Sequence, residues 1–166
     1  MLSTRRPRAA LALLLLAACR APEAPQAAKA DAPPGHLFDP ARARVGDTVV
    51  GMRIEAMEVR RASDGELVGT VRFAGRARVS GRPGPHPDGE VDAPCFFADP
   101  ASAGRLPRFP RDRRRAWFCF ADPADARRML AQADSGTVSV VIDRYTYHYA
   151  YSDVVNEARL DRVEQP

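Results

Sequence analysis

The chain has 166 residues, of which 45% are hydrophobic, and a formal net charge of +4 at pH 7. Three arginines and no acidic residue fall within the first 18 positions, so the remaining residues carry a charge of only +1. This near balance argues against nucleic-acid binding, and no nucleic-acid partner is expected. Lys29 is the only lysine among 25 basic residues, which is typical of a codon bias towards arginine rather than of selection for binding.

The first 19 residues have the parts of a bacterial export signal. Basic residues lie within 5–8 and an apolar run covers 11–16, and the run ends in Leu16-Ala17-Ala18-Cys19. This ending resembles the lipobox of bacterial lipoproteins. The resemblance implies that residues 1–18 are a signal peptide and that Cys19 carries a diacylglyceryl thioether and an N-acyl group such as palmitate. The alternative is a secreted protein with an accidental cysteine.

The lipoprotein resemblance also implies a location. The apolar run is too short to span a membrane, which takes about 20 residues, so acyl chains on Cys19 would be the anchor. Arg20 follows the cysteine, whereas lipoproteins kept at the enteric inner membrane carry Asp there. The expected location is therefore the outer membrane, with the protein facing the periplasm, and the inner membrane is the alternative.

The rest of the chain divides into a tether and one domain. Proline recurs without an apolar period up to about residue 40, so residues 19–42 are predicted to be the lipidated cysteine and a disordered Pro/Ala tether. Residues 43–166 are long enough to bury a single core. With Cys19 lipidated, Cys95 and Cys119 remain as an even pair in an oxidising compartment, which predicts a disulfide.

Apolar alternation and turn residues predict a mainly β domain. A parity switch between Ile54 and Met57 predicts a bulge in the first strand, and Gly75 predicts a bend in the second. Asp-Pro closes both 95–100 and 119–123, which predicts two strand-to-helix corners. The predicted elements are strand 48–61, turn 63–66, strand 70–80, loop 81–89, strand 91–97, basic loop 105–115, strand 116–120, a helix ending near 135, and strands within 137–163.

This order of elements resembles an OB-fold. The predicted fold class is mainly β (α+β), a small five-stranded OB-like barrel with one short helix before the last strands. Another small β-barrel or a two-layer sheet-and-helix domain is the alternative.

The sequence offers little for catalysis, so no enzymatic activity and no cofactor are predicted. Three histidines, His36, His86 and His148, lie far apart in the sequence. Asp88, Glu90 and Asp92 alternate after His86, and such oxygen ligands suit a divalent cation, but a solvated loop is the favoured interpretation and no metal site is predicted. A metal-dependent enzyme with an unrecognised site is an alternative function.

Two patterns suggest a binding surface. The tyrosines Tyr145, Tyr147, Tyr149 and Tyr151 lie two residues apart and share one face of a straight strand. They face outward if the strand continues straight from Ile142, and inward if a bulge falls near Asp143 or Arg144. Arginines supply the second pattern, as a stripe on the second strand and a cluster in the basic loop: Arg72, Arg76 and Arg78, and Arg111, Arg113, Arg114 and Arg115. The alternative for these arginines is an ordinary solvated face with acidic residues nearby.

Outward tyrosines and arginines together predict a non-enzymatic, lipid-anchored binding or scaffold domain of the bacterial envelope. The predicted ligand residues are the arginines of the stripe, Arg72 to Arg78, and the tyrosine ladder. The expected partners are a cell-wall polymer, an anionic lipid or an envelope protein. The alternative is a structural or stress-related envelope lipoprotein without a specific ligand.

Overall fold

The computed structural model describes residues 35–89, 92–131, 136–149 and 155–164, which belong to one compact unit. The predicted signal peptide, Cys19, most of the tether, Glu90 and Tyr151 lie outside these residues. The described elements, in chain order, are β1 (Thr48–Val49), β2 (Met52–Arg61), β3 (Leu67–Gly84), β4 (Cys95–Ala98), α1 (Pro100–Ala103), β5 (Trp117–Phe120), α2 (Pro123–Leu130), β6 (Val138–Tyr149) and β7 (Glu157–Glu164).

Five of these strands close into a ring. The order is β3-β4-β5-β7-β6, and β6 pairs back onto β3. All neighbours are antiparallel except β5 and β7, which pair in parallel at Cys119↔Glu157 and Phe120↔Ala158. Helix α2 lies between β5 and β6 in the chain. The predicted fold class, a small five-stranded OB-like barrel with a short helix before its last strands, is confirmed.

The N-terminal strands lie outside the ring. The predicted first strand, 48–61, is divided into a hairpin of β1 and β2 by Val50 and Gly51, whose φ angles of 44° and 84° form a two-residue turn. Among the described strands, β2 pairs with β1 and β3 and with no other. The first strand of the barrel is therefore the 18-residue β3, which also extends through residues 81–84 that the sequence assigned to a loop.

Bulges let the long strands coil around the core. The predicted switch in β2 appears as a register shift between Ile54 and Ala56. A second shift, between Ala74 and Ala77 of β3, includes Gly75 at φ 125°. A Cβ on Gly75 would lie 2.9 Å from the backbone oxygen of Gly51, so a side chain would strain both the backbone and this contact.

The core is aromatic and fills the ring. Its largest fully buried side chains include Phe73, Phe96, Phe118, Phe120 and Tyr147. Tyr145 joins them from β6, where its ring stacks with Phe73 at a centroid distance of 6.3 Å. A second, smaller cluster of Ala93, Cys95 and Cys119 lies apart from this core.

The folded part begins earlier than residue 43. Leu37 forms a bridge with Arg108, and Phe38 is only 6% exposed. The Phe38 ring packs edge-on against Phe73 and Phe109, with centroids 5.4 and 5.0 Å apart. The predicted tether boundary is therefore wrong at its C-terminal end, because an apolar pair directly follows the proline-rich stretch and completes the core.

Candidate functional site

A bulge in β6 determines where the tyrosine ladder points. Val138, Val140 and Ile142 face the core, and the register against β7 then shifts on both sides of Ile142. After the shift Tyr145 and Tyr147 are the inward residues, 3% and 1% exposed. The outward orientation is therefore wrong for these two tyrosines, since the extra residue reverses the parity of everything after it.

The end of the ladder lines a cleft. Tyr149 is half-buried, and its ring contacts Phe109 at a centroid distance of 5.0 Å. It borders an open cleft of about 530 Å³ between the β2–β3 turn and Arg111. Asp39, Asp64 and Glu66 line this cleft beside two arginines, so it does not suit an anionic ligand.

Tyr147 holds the basic loop, which we define as residues 105–115, against the barrel. Its hydroxyl donates a hydrogen bond to Oδ2 of Asp112 at 2.9 Å and accepts one from the backbone N–H of Phe109 at 3.1 Å. Burial raises the pKa of Tyr147, which keeps the hydroxyl protonated and able to donate. A core residue of β6 is thus bonded to the loop at two points.

Asp112 is the centre of this network. Its side chain is 3% exposed and accepts a bidentate pair from Arg114, at 3.0 and 3.1 Å. Burial by itself would raise the pKa of Asp112, but the hydrogen bonds and charge of Arg114 outweigh it and lower that pKa. The Arg114 guanidinium also lies over the Tyr149 ring, 5.5 Å from its centroid. Arg114 was predicted as part of a binding cluster, but its guanidinium is occupied by these contacts with Asp112 and Tyr149.

Four of the other five arginines of the basic loop point to solvent. Arg108 lies 3.5 Å from Asp112, so two of the six loop arginines, Arg108 and Arg114, share that one carboxylate. The remaining four are exposed, and among the described residues no carboxylate lies within 4.0 Å of their guanidinium groups. These four are Arg105, Arg111, Arg113 and Arg115.

The arginines of the stripe on β3, unlike the four exposed arginines of the basic loop, have carboxylate partners. Arg72 lies 3.5 Å from Glu58, Arg76 lies 3.3 Å from Asp161, and Arg78 lies 2.8 Å from Glu164. Each arginine is exposed and lies beside a carboxylate, although Asp161 and Glu164 also pair with Arg162, so most of the charge of the stripe is balanced. The structure does not bring this stripe together with the buried tyrosines, and its role in ligand binding stays a prediction.

An aromatic row on the outside of the barrel was missed by the sequence analysis. Arg82, Phe97 and Trp117 are direct cross-strand partners on β3, β4 and β5. The Phe97 and Trp117 rings are half-buried and stack with centroids 5.9 Å apart. The guanidinium of Arg115 lies over Phe97, 5.7 Å from the ring centroid. The available signal was alternation, because Phe96 and Phe118 fill the core and so turn their neighbours outward.

The predicted disulfide partners face each other beside this row. Cys95 and Cys119 are direct partners on β4 and β5, with Cα atoms 3.8 Å apart and sulfur atoms at bonding distance. Both lie two residues from a member of the aromatic row and therefore on the same outer face. The pairing of Cys95 with Cys119 is as predicted.

The histidines are dispersed over the described structure. Nδ1 of His148 lies 2.9 Å from the Thr70 hydroxyl, and burial lowers its pKa. His86 is 6% exposed, and its ring packs edge-on against Trp117. Glu90 lies outside the described residues, and within them no group of three or more His, Cys, Asp or Glu side chains could hold a metal ion.

Comparison with family models, with curated proteins and with solved structures found no match. In the part of the chain that the structure describes, no helix combines the length and apolarity needed to cross a membrane.

Proposed function

We propose that this protein is a lipid-anchored, periplasm-facing, non-enzymatic binding domain of the bacterial envelope, and that its basic loop holds an anionic polymer or lipid. One observation carries the proposal: Arg105, Arg111, Arg113 and Arg115 are exposed on one loop, without a carboxylate partner among the described residues. Guanidinium groups pair with phosphate and carboxylate in a bidentate geometry. Four exposed arginines lie within eleven residues of one loop, which concentrates positive charge there.

The network below the loop supports this role. Asp112 binds Arg114 and accepts from Tyr147, so the loop is bonded to β6 at the point where its arginines turn outward. A loop that is already ordered loses less conformational entropy when it binds. The exposed arginines can therefore act together on one polyanion.

The lipobox-like ending at Cys19 supports the anchor, and Arg20 directly after it supports the outer membrane. Leu37, which bridges to the basic loop, lies 18 positions after Cys19. Such a segment reaches at most about 60 Å when fully extended. The basic loop would then work close to the membrane surface and to polymers beside it. Intact mass of the membrane-extracted protein tests the anchor, since an unmodified Cys19 would contradict it.

Binding is tested with residues 20–166, which include the compact unit and lack the lipid. The protein is sedimented with purified cell wall and with anionic liposomes at rising salt. We expect binding that weakens steeply with salt, because exposed charges are screened over about 10 Å at 0.1 M. The triple variant R111Q/R113Q/R115Q should lose binding while keeping its melting temperature.

The stripe on β3 supplies the matched control. The variant R72Q/R76Q/R78Q removes the same number of exposed charges, but from arginines that already have carboxylate partners. It should still bind if the basic loop is the site, and it should lose binding if the stripe is the site. No binding by the wild type at low salt would contradict the proposal and favour an envelope lipoprotein without a specific ligand.

A further inference from the structure

We infer that the aromatic row of Phe97 and Trp117 recognises the sugar rings of an acidic polysaccharide, so that the polyanion held by the basic loop is a glycan rather than a lipid headgroup. The inference rests on the proposed function and names the ligand class of the same site. It depends on how the row and the basic loop meet on the outer face of β4 and β5.

The row is fixed by the barrel itself. Phe97 pairs with Arg82 on one side and with Trp117 on the other, so all three side chains leave the sheet in the same direction. The opposite face is the closed core, where Phe96 and Phe118 are fully buried. The row therefore cannot turn inward without reversing the register of two strands.

The basic loop meets the row at Arg115. Its guanidinium lies 5.7 Å from the centroid of Phe97, close enough for a cation–π interaction that leaves its outer N–H groups free to bind. Arg82 flanks Phe97 from β3 and is exposed. Among the described residues, neither arginine has a carboxylate within 4.0 Å. Two arginines without a described carboxylate partner thus border two half-buried rings.

This combination matches a ligand that is apolar and anionic within one rigid unit. A pyranose ring presents its C–H groups to an aromatic ring, whose negative face attracts them, while a carboxylate or phosphate on the same sugar reaches an arginine. A lipid headgroup supplies the anion without the rigid ring. The pairing of Arg115 with Phe97 therefore favours an acidic glycan.

Fluorescence gives a direct test, because Trp117 is the only tryptophan in the chain. Residues 20–166 are titrated with polygalacturonate, with polyglutamate matched in charge and length, and with vesicles of phosphatidylglycerol and phosphatidylcholine. We expect polygalacturonate to bind about tenfold more tightly than polyglutamate, the gain that an aromatic contact provides. Only polygalacturonate should change the Trp117 emission.

Variants separate the rings from the charges. Phe97→Leu keeps apolar volume but removes the aromatic ring, and should lower affinity for polygalacturonate about tenfold while leaving polyglutamate binding unchanged. Trp117→Leu should have the same effect on the two affinities. Its binding is measured by sedimentation, because the variant has no tryptophan fluorescence. Arg115→Gln should weaken the binding of both polymers.

Three results would contradict the inference in different ways. Equal affinity for the two polymers, or polygalacturonate binding that survives both ring variants, would overturn the inference that the ligand is a glycan. It would leave the basic loop as the binding site. Preference for vesicles over both polymers would assign the site to lipid headgroups. No binding to any of the three would overturn the proposed function as well.

Discussion

The hydroxyl of Tyr147 donates a hydrogen bond to the carboxylate of Asp112, 2.9 Å away and 35 residues apart in sequence. Tyr147 is 1% exposed in the barrel core, and Asp112 is the only acidic residue of the basic loop. Through this bond the packing of the core determines the position of the loop arginines. Stability and the proposed binding surface are therefore linked at one pair of residues.

Tyr147→Phe should destabilise the fold by about 1–3 kcal/mol. The substitution keeps the ring but leaves the backbone N–H of Phe109 without its acceptor and removes one donor from Asp112. Urea denaturation measures the change. Tyr149→Phe is the matched control, since its hydroxyl makes no hydrogen bond within the described residues, and it should cost less than about 0.5 kcal/mol. Equal effects of the two variants would show that the Tyr147 hydroxyl has no special role.

The stability of the fold should fall in acid through Asp112. Its pKa is lower in the folded protein than the ordinary 3.8, because the hydrogen bonds and charge of Arg114 outweigh the opposing effect of burial. A carboxyl with a lowered folded pKa stabilises the fold above its unfolded pKa, and this contribution is lost as the pH falls from about 3.8 through the folded value. Denaturation between pH 6 and pH 2 should therefore show a loss that is smaller in Asp112→Asn.

Asp125→Asn is the control for the acid titration. Asp125 also pairs with an arginine, at 2.9 Å, but its side chain is 56% exposed. Exposed ion pairs contribute little to stability, so this variant should follow the wild-type pH dependence. A wild-type pH dependence in Asp112→Asn would instead assign the acid sensitivity to other carboxylates.

The N-terminal boundary of the folded part can be tested by deletion. Removing residues 20–34 should leave the melting temperature unchanged, whereas extending the deletion through residue 40 removes Phe38 from the core. We expect the single substitution Phe38→Ala to cost about 3–5 kcal/mol, because its ring packs against Phe73 and Phe109. Differential scanning calorimetry distinguishes the two cases. A large drop on deletion of 20–34 alone would place the tether within the fold.

The sequence predicted the barrel because hydrophobic alternation, turn residues and the helix before the last strands agree with one another. The bulge near Ile54 could be predicted, because the apolar residues of the sequence change from one strand face to the other at that point. The division of the first strand into β1 and β2 could not be predicted, since Val50 has a strong strand preference and adopts a positive φ only within the turn.

The site was harder to predict, because orientation depends on contacts between distant segments. A bulge near Asp143 was one of two interpretations of the tyrosine ladder, and only the pairing of β6 with β7 distinguishes them. The carboxylate partners of Arg76 and Arg78 lie on β7, about 85 residues away in sequence. No local pattern could show that this stripe is neutralised while the basic loop is not.

Loss of the Cys95–Cys119 disulfide should lower stability without opening the barrel core. The bond joins cysteines 24 positions apart in sequence, and the chain-entropy effect of closing such a loop is about 3 kcal/mol. Both sulfurs belong to the small outer cluster, separate from the aromatic core, so C95A/C119A should remain folded with a lower urea midpoint. Wild type with a thiol reductant is the matched control, and it should fall to the stability of the double variant. Thiol titration of the native protein should find neither cysteine free, and two reactive thiols would contradict the bond.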